Sequence, residues 1–148
     1  MDWVSESKAL FTIQKPEHFT NFSHCEECEE HDQTLIHSSI DEIGMAELGN
    51  PGWDPICFCS VKGKIYYMPS FIRLSIETMS DDFYFSQFLF HLEYDGKDNA
   101  LFHVCNPSQR QFIASFVEYV ILNHSEELKK NSCEDDALRT YEIWSSTE

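Results

Sequence analysis

The segment "HCEECEEHD", His24 to Asp32, holds two histidines, two cysteines and five acidic residues within nine positions. Imidazole and thiolate groups are common zinc ligands, and in a helix His24 and Cys28 lie four residues apart while Cys25 and Cys28 lie three apart. His31 would lie about 10 Å from His24 along the helix axis. One straight helix therefore brings together only part of the candidate ligand set, which is His24, Cys25, Cys28 and His31.

A zinc site would need ligands from outside this segment. Cys57 and Cys59, predicted on one face of a short strand, are the natural candidates, and His37 is another. A single C-x2-C is a weak signal without a second C-x2-C or an H-x3-H. Two interpretations stay open: a zinc-stabilised domain or metal-dependent regulator, with zinc as the candidate cofactor, or a capped acidic helix whose Cys28 and one histidine face the core.

Thiol chemistry is the third interpretation of this segment. Amides at a helix start lower the pKa of a thiol, whereas Glu26, Glu27 and Glu29 favour the neutral form of Cys25. The sequence has no nucleophile elbow, zinc-protease helix, dinucleotide loop or Walker loop. We therefore predict a protein that is not an enzyme and has no catalytic residue.

Charge is the most unusual bulk property of the chain. Its 26 acidic and 10 basic residues give a formal net charge of −16, and neither Lys nor Arg occurs between Lys15 and Lys62. Nucleic-acid affinity depends on Lys and Arg displacing counterions, so direct binding to nucleic acid is disfavoured, as is binding to an anionic membrane. An acidic surface would instead attract a basic protein, although it can also serve solubility alone.

The combination of small size, acidity and no reaction motif favours an interaction protein. The most concrete form of this hypothesis is an immunity protein or antitoxin that covers the basic active-site cleft of a cognate toxin. Trp53 could anchor such a partner or close the edge of the core. The predicted partner-binding residues are Glu26, Glu27, Glu29, Glu30, Asp32, Asp41, Glu42, Glu47 and Trp53.

The chain has the composition of a reduced, cytoplasmic protein. Its first residues, "MDWVSESKAL", contain no cationic segment followed by an apolar one, and no stretch reaches the length of a membrane span. In the cytoplasm the six cysteines are expected to be reduced.

The predicted fold is α+β: a mainly helical single domain with one small β-hairpin. Residues 1–22 are predicted to be irregular, 23–124 to form the core, and 125–148 to form a polar link and a C-terminal helix. Ser23 with Glu26, and Ser39 with Glu42, have the spacing of capping boxes that begin helices. The clearest helix is 106–124, because apolar residues recur on one face behind a capping Asn and a Pro.

The hairpin is predicted from "ICFCSVKGKIYYM", in which two short β-like runs flank a Lys-Gly turn. The preceding "GNPGWDP" predicts a type II turn with Gly52 in the left-handed region. Pro69 is predicted to begin the next helix, since proline suits the first helical position.

Several segments resemble an uncharacterised family of small acidic bacterial proteins. They are "HCEECEEHD", "LGNPGWDPICF", "YYMPSFIRL", "FLFHL" and "SQRQFIASFVEYV". The resemblance covers residues 16 to 124 and implies a bacterial, cytosolic protein. It implies no activity, so no catalytic residue is transferred, and it leaves residues 125–148 outside.

Overall fold

The predicted β-hairpin is absent from the computed structural model, which describes residues 1–147. Every regular element among these residues is helical, so the predicted α+β class is wrong. The chain divides into two compact units, one from Asp2 to Leu74 and one that begins at Ser75 and includes Met1. We call them the N-terminal and C-terminal units. No described helix is long and apolar enough to cross a membrane.

The N-terminal unit contains four α-helices and two short 3-10 segments. The helices are α1 (Trp3–Leu10), α2 (Glu26–Ile36), α3 (Met45–Leu48) and α4 (Val61–Glu77), and the 3-10 segments are Pro51–Trp53 and Pro55–Phe58. Helix α4 continues three residues beyond Leu74, the last residue of this unit. Within this unit α4 is tied to α2 and to the chain that follows it. Tyr67 donates a hydrogen bond to the Leu35 carbonyl of α2 at 2.6 Å, and Ser70 donates to the Ile40 carbonyl at 2.7 Å.

The predicted hairpin is wrong because its two halves are a 3-10 turn and the start of a helix. Asp54 caps the turn by accepting a hydrogen bond from the Ile56 amide at 2.9 Å. Gly63 lies inside α4, where an added Cβ would approach Cys59 Sγ to 2.5 Å. Close packing, rather than a turn, therefore explains this glycine. Pro69 also lies inside α4 and does not begin a helix.

Several predicted boundaries near the N-terminus also differ. The segment 1–22 is not wholly irregular, because Asp2 caps α1 by accepting from the Ser5 amide at 3.1 Å. Helix α2 is capped by Cys25 rather than Ser23, whose hydroxyl hydrogen-bonds to Asn21 instead. The Ser39 box is replaced by a cap at Gly44. Gly52 belongs to a 3-10 segment and does not adopt a positive φ.

The C-terminal unit is a small bundle of helices. Its helices are α5 (Phe85–Glu93), α6 (Ala100–Val104), α7 (Pro107–Asn123), α8 (Ser125–Lys130) and α9 (Glu134–Trp144), with a 3-10 segment at Gly96–Asp98. Helix α7, capped by Asn106 with Pro107 first, confirms the predicted helix 106–124. Helix α9 is fixed to α5 by Trp144, whose buried indole donates to the Leu92 carbonyl at 2.9 Å.

Candidate functional site

Three of the predicted metal ligands meet at the start of α2. One ligand atom from each of His24, Cys25 and Cys28 lies within 4.8 Å of the other two. The two sulfur atoms are 3.2 Å apart, and Cys28 Sγ is 3.7 Å from His24 Nδ1. We call these residues the His24 cluster. His31, the fourth predicted ligand, does not belong to it.

The helix start explains how the two thiols converge. Cys25 is the extended N-cap residue, and its sulfur accepts a hydrogen bond from the Cys28 amide at 3.4 Å. Cys28 lies in the first turn with its residue surface 6% exposed, whereas His24 and Cys25 are exposed. The cluster therefore has one ligand on the core side and two on the solvent side.

The pKa values of the two thiols are shifted in opposite directions. Hydrogen bonding from the Cys28 amide, then from the Cys28 thiol and His24, lowers the pKa of Cys25 to about 7. The hydrogen bond to Cys25, together with desolvation, raises the pKa of Cys28. The expectation that neighbouring glutamates keep Cys25 neutral omitted its role as the helix cap. Cys25 is the more readily ionised thiol of the pair.

Asp32, predicted to bind a partner, is instead an internal support for this site. Its carboxylate is fully buried and accepts hydrogen bonds from the Phe19 amide at 2.6 Å and the Thr20 amide at 3.1 Å. The ring of His18 lies within hydrogen-bond distance of the same carboxylate, at 2.7 Å. The Thr20 hydroxyl in turn donates to the Cys28 carbonyl at 2.6 Å. The chain that leads to His24 is therefore fastened to α2.

His31 connects α2 to two exposed aromatic residues. Its ring is fully buried, and its Nε2 lies 3.1 Å from Glu27 Oε2. The ring centroids of Trp53 and Phe58 lie 4.7 Å and 5.0 Å from that of His31. Trp53 is 42% exposed and Phe58 41% exposed. These two side chains, resting on His31, form what we call the aromatic pair.

The remaining predicted partner-binding residues are distributed over two places. Glu26, Glu29 and Glu30 are exposed on α2. Asp41 is exposed but already accepts from Lys8 at 2.6 Å, and the Glu47 carboxylate accepts from the Gly44 amide at 2.8 Å.

Glu42, the last predicted acid, is exposed. The acids of α2 are thus the larger group without a cationic partner among the contacts described.

Cys57 and Cys59, predicted as additional ligands, point to different environments. Cys57 is exposed and Cys59 is buried, and neither belongs to the His24 cluster. Burial raises the pKa of Cys59 to about 12 and also raises the pKa of Cys57. His37 is exposed and hydrogen-bonds to Gln33, four residues earlier in α2.

Sequence reasoning missed two structural features of this region. Phe58 was assigned to a strand, so its pairing with Trp53 was not anticipated. The structural role of Asp32 was hidden because its main partners are backbone amides, which leave no trace in the side-chain pattern.

Comparison with protein-family models, curated proteins and solved structures found no match for this chain. The family resemblance described above stays a prediction.

Proposed function

We propose that this protein binds a basic protein partner through the aromatic pair and the adjacent acids of α2. In its most concrete form, it is an immunity protein or antitoxin that covers the cationic active-site cleft of a toxin. The observation that carries this proposal is an exposed Trp and Phe resting on His31, a residue of the same helix that carries the exposed Glu26, Glu29 and Glu30.

The aromatic pair supports an anchoring role. Aromatic side chains supply much of the free energy of protein–protein binding, and they do so best when rigid and surrounded by residues that exclude water. Both side chains rest against the buried His31 ring, and Asn50 caps the turn of Trp53 through the Gly52 amide at 2.9 Å. Little conformational entropy would therefore be lost on binding.

The acids of α2 supply the charge that a basic partner requires. Glu27 contacts His31, and Glu30 lies one helical turn further on the same side of α2. The 46 residues between Lys15 and Lys62 contain no cationic Lys or Arg to neutralise this field. Charge complementarity of this kind accelerates encounter and selects against acidic competitors.

Charge reversal tests the acidic part of the surface. One variant combines Glu26→Lys, Glu29→Lys and Glu30→Lys, and its control combines Glu126→Lys, Glu134→Lys and Asp135→Lys, which are exposed acids of the C-terminal unit. The two variants gain the same charge. Each is used with the native protein as bait in a lysate of the native host, and the affinity of the captured partner is then measured at physiological salt.

We expect the control to bind like the native protein and the α2 variant to bind at least about 10-fold more weakly. Trp53→Ala should cost about 2 kcal/mol or more of binding free energy, as expected of a central aromatic anchor. Phe90→Ala, at a residue 49% exposed in the C-terminal unit, is its control. Equal affinity of both charge variants would refute the proposed surface.

A growth assay tests the immunity assignment separately. The captured partner is expressed in a bacterial host alone and together with this protein. Growth arrest that co-expression relieves supports an immunity protein. A partner that is harmless alone would leave an interaction protein and contradict the toxin assignment.

A further inference from the structure

We propose that His24, Cys25 and Cys28 bind one zinc ion, with the fourth coordination position open to water. The proposal does not depend on the proposed partner, because it uses a different set of side chains. It assigns one ligand chemistry to three residues whose side chains meet at the start of α2.

The distances between the ligand atoms fit a tetrahedral ion. With Zn–S bonds of about 2.3 Å and a Zn–N bond of about 2.0 Å, tetrahedral angles place two sulfurs about 3.8 Å apart and a sulfur about 3.5 Å from the nitrogen. The corresponding distances here are 3.2 Å between the sulfurs and 3.7 Å between Cys28 Sγ and His24 Nδ1. Side-chain shifts of about half an ångström complete the geometry.

The identity of the ligands favours zinc among the divalent ions. Two thiolates and an imidazole form a soft, mixed sulfur–nitrogen set, which excludes magnesium and calcium because these ions prefer oxygen ligands. Two thiolates also neutralise the charge of one Zn²⁺. Glu26, Glu27 and Glu29 surround the helix start and favour a cation there over a pair of free thiolates.

The site is held in place before any ion binds. Asp32 fastens the backbone at residues 19 and 20, and Thr20 bonds to the carbonyl of Cys28. The His24 amide donates to the Asn21 carbonyl at 3.0 Å, which fixes the turn that carries the histidine. A ligand set organised in this way loses little entropy on binding metal.

The exposure of the ligands provides an entry path and an open position. His24 and Cys25 are exposed while Cys28 lies on the core side, so an ion would sit at the surface. The described residues contribute three ligands to the group. Three protein ligands with an open position are typical of zinc sites that exchange their fourth ligand, in contrast to closed structural sites.

A disulfide between Cys25 and Cys28 is the competing chemistry. The sulfur atoms, 3.2 Å apart, are well beyond the roughly 2.05 Å of a disulfide bond. A disulfide would also leave His24 outside the bonded pair, whereas an ion uses all three residues. The experiment below distinguishes these two outcomes.

Cobalt substitution provides the direct test on the full chain. The protein is reduced, freed of metal by a chelator and titrated with Co²⁺ without oxygen, while absorbance and metal content are measured. We expect one cobalt per chain, a thiolate-to-cobalt charge-transfer band and the visible bands of a tetrahedral ion. Zn²⁺ should displace the cobalt and abolish these bands.

Matched variants assign the ligands. Cys25→Ser and His24→Asn should each weaken binding by more than about 100-fold, because even residues that only support a ligand cost about 10–100-fold. His37→Asn and His103→Asn, at exposed residues that belong to no group of possible metal ligands, should leave the affinity unchanged. Circular dichroism of each variant checks that the helices are retained, so a folding defect is not mistaken for a lost ligand.

The opposite results would overturn the proposal. These are no cobalt uptake by the reduced protein, or uptake that Cys25→Ser leaves unchanged. Recovery of a Cys25–Cys28 disulfide in air, with no metal uptake after reduction, would assign the pair to thiol–disulfide chemistry instead.

Discussion

The N-terminal unit contains two closely spaced cysteine pairs, and only one of them converges. Cys25 and Cys28 face each other at the start of α2 with His24 beside them. Cys57 is exposed and Cys59 is buried at the end of a 3-10 turn. Each pair has one exposed and one buried cysteine, so burial does not distinguish the pairs, whereas the meeting of the sulfur atoms of Cys25 and Cys28 does.

Backbone geometry explains this difference. In the first turn of an α-helix, residues three apart lie on the same side, so the N-cap thiol and the Cys28 thiol meet. In a 3-10 helix each residue rotates by about 120°, so residues two apart point in different directions. Ligand spacing in a sequence thus has meaning only for a known backbone.

Thiol reactivity should show the largest difference between the pairs. In metal-free, reduced protein at pH 7, the pKa of about 7 leaves about half of Cys25 as thiolate, whereas the pKa of about 12 leaves almost none of Cys59. We expect Cys25 to be alkylated at least about 100-fold faster, because the larger thiolate fraction outweighs the lower intrinsic nucleophilicity of a less basic thiolate. Mass spectrometry of peptides after timed iodoacetamide treatment measures both rates.

The pH dependence of alkylation provides the control for this comparison of rates. Alkylation of Cys25 should increase from pH 6 to pH 8 and then level off, because the thiolate is fully formed above its pKa. One equivalent of zinc should protect Cys25 from alkylation. Similar rates at Cys25 and Cys59 would contradict the described difference.

Asp32→Asn tests whether the buried Asp32 carboxylate supports the structure around Cys25 and Cys28. The substitution removes the buried negative charge and leaves one carbonyl oxygen, so the Phe19 and Thr20 amides keep only a neutral acceptor while an NH2 group replaces the oxygen that faces His18. We expect the free energy of unfolding to fall by about 2–4 kcal/mol, as measured by urea denaturation.

Glu30→Gln, which removes an exposed carboxylate on the same helix, is the control for Asp32→Asn. We expect it to change the free energy of unfolding by less than about 0.5 kcal/mol. Equal effects of the two substitutions would show that Asp32 is not an internal support.

Gly63→Ala tests the packing around Cys59, the buried cysteine of the Cys57–Cys59 pair. The added Cβ would approach Cys59 Sγ to 2.5 Å and the Phe19 ring to 2.7 Å. We expect a loss of about 1–3 kcal/mol despite the better helix propensity of alanine. Gly44→Ala is the control, because its nearest contact would be at 3.8 Å. A stabilised Gly63→Ala protein would refute the close approach.

Serine substitution at Cys57 and at Cys59 should give the smallest difference among these tests, measured as the loss in free energy of unfolding. Cys59→Ser places a hydroxyl in an apolar environment and should cost about 1–2 kcal/mol. Cys57→Ser should change the free energy of unfolding by less than about 0.5 kcal/mol, because the side chain is exposed. Thermal denaturation of the two variants side by side measures the difference. A reversed order would contradict the assigned burial.

Part of the candidate site follows from the sequence. The spacing of His24, Cys25 and Cys28 predicts a shared helix face, and the structure brings these three together. The separation of His31 along the helix also argued against one site with four ligands. What the sequence did not provide was the cap: Ser23 matches the capping pattern better than Cys25, yet Ser23 hydrogen-bonds to Asn21.

The fold was predicted well only where periodicity was long. Helix α7 combines a capping Asn, a first-turn Pro and a recurring apolar face, so its bounds were clear. The hairpin was wrong because "ICFCSVKGKIYYM" contains β-branched and aromatic residues around a glycine. That glycine packs against Cys59, and the proline after it lies inside α4, which only tertiary contacts reveal.

X-ray absorption spectroscopy at the zinc edge tests the central claim most directly. The protein is loaded with one equivalent of zinc, and the atoms around the ion are counted by type and distance. We expect two sulfur atoms at about 2.3 Å and two nitrogen or oxygen atoms at about 2.0–2.1 Å, one of them from His24. A shell of nitrogen and oxygen alone, or of four sulfur atoms, would contradict a site made by His24, Cys25 and Cys28.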